Sequence, residues 1–224
     1  MQANTQTQPP TPVYGRLIHI GRGAVVCFGV SVAIQWIIHV IDWVEWSAIR
    51  SRTVSGWVAP LEEVLGRLVS GSRLVWFVLF LTWIHRMVTN TVALGRKGMT
   101  VTPGNAVVWF IIPVANFYKP FKIVRELAAC SSPSRSKLTP PRLVATWWVL
   151  LLTGNLLNLS ASALRTLKVI DLDAFMPLAV AATSLATGAA IATYFLIRSI
   201  DANQERLRRR ALRKAARAQA QPPV

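Results

Sequence analysis

The 224-residue chain is 53% hydrophobic and only 15% charged, with nine Trp and a formal net charge of +16. A soluble domain carries about 25% charged residues; here the charge is absent from long blocks and gathered between them, which excludes an ordinary soluble domain and reads as an integral membrane protein. The basic excess would suggest nucleic acid in a soluble chain, but in loops between apolar blocks it points to anionic lipid headgroups, and nucleic acid is not an expected partner.

The N-terminal 12 residues are rich in Gln, Thr and Pro and lack an apolar period, so residues 1–16 are predicted as a disordered tail. A four-span membrane domain is predicted over 17–200. Its first apolar block, 17–41, is long enough for a tilted crossing. No small-residue cleavage site follows it, which predicts an uncleaved anchor.

The first connection, 42–73, opens on Trp43 and Trp46 at an interfacial belt, with Trp57 further on. Pro60 followed by Glu62 and Glu63 is a helix start, and Leu61, Val64, Leu65 and Leu68 share one face. A short helix on the outer surface is the expected outcome. The second span is predicted at 74–92, with Gly95 as its C-cap.

A second apolar run at 106–118 is interrupted by Pro113 and Asn116 and followed by Pro120. Thirteen residues fall short of the ~20 a crossing helix needs. It is read as a membrane-embedded elbow, packed under the helix bundle because irregular backbone at membrane depth needs protein cover. A surface helix follows at 121–129, then a Ser/Pro/basic loop at 131–141, and Cys130 is read as lying in a basic loop. The third and fourth spans are predicted at 143–164 and 175–200. Small residues from Ala182 to Ala192 in the fourth allow close helix approach. Residues 201–224 read as a basic cytoplasmic helix and tail. The expected fold is therefore all-α, with four transmembrane helices and an elbow between spans two and three.

Nineteen of the 25 Lys/Arg fall at the N-terminal end, the middle connection and the C-terminal segment, while six of the nine acids fall on the opposite side. The positive-inside rule then places both termini in the cytoplasm of a bacterial plasma membrane.

The region from Trp83 to Gln204 resembles a bacterial membrane family named only as domain of unknown function 4328. The resemblance rests on Trp83, Arg86, Asn90 and Ala93-Leu94-Gly95, then Thr102-Pro103, the run from Ala106 to Phe110, and the run from Ile112 to Asn116. It continues through Lys119-Pro120, Arg125-Glu126, Ser131, Trp147-Trp148 and Gln204, with His85 and Asn105 departing from the pattern. It implies four spans and assigns no reaction.

Candidate residues follow from charge and position. Arg86, Asn90, Asn116, Lys119 and Lys122 are candidate contacts for a ligand or lipid headgroup. Arg86 is also expected to pair with Glu126, the acid of the middle connection. Asn155 and Asn158, one turn apart, are expected to bond across to a neighbouring helix. Arg206, Arg208, Arg209, Arg210, Arg213 and Lys214 form a basic strip for anionic lipid or an acidic partner.

His39, Asp42 and Glu45 share the outer end of the first span, where solvation explains them better than a metal does. No metal, cofactor or catalytic set is expected. The expectation is a non-catalytic membrane protein, an accessory or scaffold subunit with a membrane-protein partner or a second copy. The alternative is lipid or small-solute binding or transport, with the elbow as its gate or headgroup site.

Overall fold

A computed structural model describes residues 18–50, 58–133 and 139–220. The predicted tail at 1–16, Trp57 and residues 134–138 of the Ser/Pro/basic loop lie outside the described residues. Helix α1 spans Ile18–Arg50, α2 Val58–Ala93, α3 Pro103–Ile111, α4 Lys119–Ser131, α5 Pro141–Thr166 and α6 Leu172–Ala220. A 3-10 turn, Ala115–Phe117, separates α3 from α4. No strand occurs among the described residues. Four of these helices, α1, α2, α5 and α6, are long and apolar enough to cross a membrane.

The helices overrun the predicted spans. The expected outer surface helix and second span are one 36-residue helix. Nothing between Leu68 and Leu74 breaks the backbone ladder; the Ser70 and Ser72 hydroxyls donate to carbonyls of their own helix, Gly66 and Val69. The end of α2 is closed by Gly95 in the left-handed region, φ +65°. Gly95 N–H donates to the Val92 carbonyl and Arg96 N–H to the Thr91 carbonyl, which satisfies two orphan acceptors of the last turn. At the start of α6, Asp171 is the N-cap, its carboxylate accepting from Ala174 N–H at 2.9 Å.

The chain divides into two compact units. The span unit holds Ile18–Thr82 and Pro140–Ser199. Phe28, Val32 and Ala189 form a buried cluster there, with Trp76, Leu150 and Leu151 against it. Small residues let α5 and α6 pack closely: a Cβ at Gly188 of α6 would lie 3.1 Å from the Leu150 side chain, and one at Gly154 of α5 would lie 3.2 Å from Leu185. Trp147 is fully buried and donates its indole N–H to the Thr193 hydroxyl at 3.0 Å. His39 departs from the expected interfacial solvation. It is only 6% exposed, with Nε2 2.7 Å from the Thr183 hydroxyl and Nδ1 3.5 Å from Asp42.

Within the described residues the elbow unit holds 83–133, Thr139 and 200–220. Its core is Trp83, Ile84, Met87, Val88, Phe110, Ile123, Val124 and Leu127, closed by Ile200 and Gln204. Trp83 donates to the Asp201 carboxylate at 2.9 Å. Gln204 Nε2 stands 2.9 Å from the Met87 carbonyl, 3.1 Å from the Thr91 hydroxyl and 3.0 Å from the Ser131 hydroxyl. Two amide protons thus face three oxygens on two other segments.

Candidate functional site: the elbow and its basic rim

The elbow is built from short-range signals. Thr102 caps α3, accepting from Asn105 N–H at 3.3 Å, and Pro103 occupies the first turn, where its missing donor costs nothing. The predicted elbow, 106–118, begins three residues after this start, because Thr102-Pro103 is read in sequence only as part of the family resemblance and not as a cap. The stretch between α2 and α3 is tied to α4. Arg96 donates to the carbonyls of Cys130 and Ser132 at 3.0 Å each, placing a cation at the end of α4 where orphan carbonyls gather. The Glu126 carboxylate accepts from Thr100 N–H and its hydroxyl.

Pro113 ends α3, but helical-type bonding resumes at once. Asn116 N–H donates to Ile112, Phe117 to Val114, Tyr118 to Ala115 and Lys122 to Tyr118. Few backbone donors are left for neighbouring protein to satisfy. This overturns the expectation that the whole elbow is covered. Ala106, Phe110 and Ala115 are buried, whereas Ile111, Ile112, Phe117 and Tyr118 are exposed, and Val114 reaches 79% exposure. The cover argument assumed irregular backbone, and this backbone is largely self-bonded.

Basic side chains rim that apolar ridge. Lys119 Nζ lies 4.8 Å from the Trp109 ring centre and 5.4 Å from that of Tyr118, within cation–π range. Arg125 sits over Phe121 at 5.5 Å. Lys122 is half exposed and 3.9 Å from Glu126. Asn116 is exposed and Asn90 is buried, so the five candidate contacts do not converge. Lys119 and Lys122 share the ridge; Arg86 and Asn90 do not belong to it.

The Arg86–Glu126 pair does not form. Trp83, Ile84, Met87, Val88, Asn90 and Thr91 are buried while Arg86 is exposed. At 100° per residue Arg86 falls outside the arc those six define. Glu126 is held by Thr100 instead. Arg86→Ala is therefore expected to leave the unfolding midpoint in mild detergent unchanged; a large drop would show that the guanidinium has a structural partner after all.

The interhelical amides also differ from expectation. Asn155 donates to its own helix at the Leu151 carbonyl, 2.7 Å away, because a carbonyl one turn back is always within reach. Asn158 makes no helix-to-helix hydrogen bond among the described residues, and both amides line a cleft of about 200 Å³ in the span unit. None of the five elbow candidates lines it.

In the basic strip, Arg208 and Arg209 pair with Glu205 at 3.4 and 3.0 Å, and Arg210 donates to the Pro133 carbonyl at 3.1 Å. Arg206 approaches Asn203 at 3.5 Å, and Arg213 and Lys214 are exposed. Part of the strip is therefore used within the chain, and Glu205 is the residue that sequence reading overlooked. Cys130 belongs to α4 rather than to a basic loop. Burial pushes its thiol up, against a smaller lowering by Arg96 and a raising by Glu126. It stays a protonated packing residue that donates to the Lys97 carbonyl at 3.6 Å.

Four spanning-length apolar helices define the class: this is a multi-pass α-helical membrane protein. The chain belongs to the family Domain of unknown function (DUF4328), whose profile matches residues 51–202. The match begins well before Trp83, so the start of α2 is part of the family pattern, and Gln204 lies just beyond its end. No curated protein and no solved structure matches the chain.

Proposed function

We propose that this chain is a non-catalytic protein of the bacterial plasma membrane, with both termini cytoplasmic, whose elbow unit lies in the inner headgroup layer and binds anionic lipid. The observation that carries the reading is the juxtaposition of an exposed apolar ridge, Ile111 to Tyr118, with Lys119, Lys122 and Arg125. Apolar side chains above a cationic rim match the acyl–headgroup boundary. Each basic residue near an anionic surface contributes about 1 kcal/mol of attraction. Trp109 and Tyr118 add amphipathic rings of the kind enriched at that depth.

An accessory or scaffold role is less well supported. The small residues of α6 that would suit a partner helix, Ala182, Ala189 and Ala192, are buried inside the span unit.

The test is a nitroxide attached at Val114→Cys in a Cys27→Ala background, where Cys130 is shielded by burial. In nanodiscs containing phosphatidylglycerol, relaxation by oxygen should exceed relaxation by a water-soluble nickel chelate. The reverse order would place the ridge in water and end the lipid reading. Neutralising Lys119, Lys122 and Arg125 together to Gln should lower phosphatidylglycerol enrichment around the purified protein several-fold. A fixed-stoichiometry protein partner co-eluting in mild detergent, and covering the label, would replace lipid with protein as the ridge's occupant.

A further inference from the structure

We propose that the span unit binds one anionic head group, a phosphate or carboxylate carried on an apolar body, in a cleft within the membrane thickness, with Arg73 as its charged contact. The proposal does not rest on the lipid reading of the elbow unit, which is a different site on different residues.

The cleft, about 200 Å³, is lined by Arg73, Trp76, Phe77, Asn155, Asn158 and Thr183 among others. Arg73 looked like an outer-loop cation in sequence, at the edge of a span. In the structure it is a half-buried residue inside the continuous helix α2, packed among α1, α5 and α6. Depth follows from helix rise. Thr183 lies about 17 Å along α6 from Leu172, and Asn155 about 17 Å along α5 from Thr166, at ~1.5 Å per residue. That is comparable with half of a ~30 Å hydrocarbon core.

A guanidinium at such depth normally has a partner, and an unpaired one marks a functional site. Here Arg73 makes one long hydrogen bond, Nη2 to Gln35 Oε1 at 3.5 Å, and no ion pair among the described residues. Five donors on a planar fork remain largely unused, the geometry suited to a phosphate or carboxylate. The described acids of the span unit do not line the cleft: Asp42, Glu45, Glu62, Glu63 and Asp173 lie elsewhere on α1, α2 and α6, and Asp171 is the N-cap of α6. An anion would therefore meet attraction without a competing carboxylate.

Two further groups point the same way. The Trp76 indole N–H is buried with no acceptor among the described residues. The Asn158 amide supplies another donor on the facing wall. Phe28, Phe77 and Leu151 complete an apolar wall suited to the body that carries the anion. Stacking on Phe28, ring centres 4.4 Å apart, holds the Trp76 ring in place.

The experiment uses the full chain in phosphatidylcholine nanodiscs in two arms. One arm is doped with phosphatidylglycerol; the other has sodium octanoate in the buffer. Native mass spectrometry after gentle release counts the bound anion. Wild type should retain one per chain in at least one arm. Retention in the first assigns a bilayer lipid, and retention in the second a soluble amphiphile. Arg73→Gln should lower that retention about tenfold, as loss of a charge-assisted bidentate contact would. Ala186→Leu, which fills the cleft and keeps the arginine, should lower it too and serves as readout if Arg73→Gln does not fold. No retained anion in wild type, or retention unchanged in the folded variants, overturns the proposal. Retention abolished by neutralising Lys119, Lys122 and Arg125 but not by Arg73→Gln assigns the anion to the elbow and overturns it equally.

Discussion

Gln204→Ala is expected to destabilise the elbow unit by about 3 kcal/mol, the sum of a cavity and of polar groups left without their partner. Gln204 is 1% exposed and its amide reaches α2 at Met87 and Thr91 and α4 at Ser131. Thr91 also donates to the Met87 carbonyl, so that acceptor keeps a partner, while Ser131 loses one across the interface. The measurement is the unfolding midpoint in mild detergent, with hydrogen exchange to localise the effect. Protection should fall over residues 83–131, and Gln204→Glu should also destabilise, since a carboxylate there faces a carbonyl. An unchanged midpoint for Gln204→Ala would mean that α6 does not hold the elbow unit together through this amide.

Trp147→Ala is expected to cost more, about 3–5 kcal/mol, because it removes the largest buried ring from α5. Trp147 is fully buried, 5.9 Å from Phe80 and 5.5 Å from Trp148 by ring centre, and bonded to Thr193. Trp147→Phe keeps most of the packing and removes the indole donor, so it should cost only about 1–2 kcal/mol. Thr193 remains bonded to the Ala189 carbonyl of its own helix, which limits the damage. The two variants separate packing from hydrogen bonding. Equal losses would show that the Thr193 contact, not ring volume, sets the stability of this unit.

The sequence marked the right features in the elbow but misjudged their surroundings. Pro113 and Pro120 read as breaks; in the structure Pro113 ends α3, while Pro120 sits in the first turn of α4, where proline is tolerated. The cover that such breaks seemed to require is absent from the ridge because the intervening residues keep helical-type bonds. Arg86 and Glu126 were paired on charge, Glu126 being the acid of the middle connection, yet helix rotation turns Arg86 outward and Thr100 takes the carboxylate. Arg73 falls at the end of the predicted first connection, 42–73, next to Ser70, Gly71 and Ser72. Those residues remain helical, which carries the cation into the span unit.

By itself, the sequence determined helical class and the number of long apolar segments, because block length and composition are local properties set within some 20 residues. It also carried the cap at Gly95, which acts over three or four residues. The tertiary structure alone decided which polar groups meet. Gln204 joins residues 117, 113 and 73 positions away, and Arg73 meets Gln35 across 38. Such meetings depend on how each helix is rotated about its axis, and hydropathy carries little of that where one face meets lipid and another meets apolar protein.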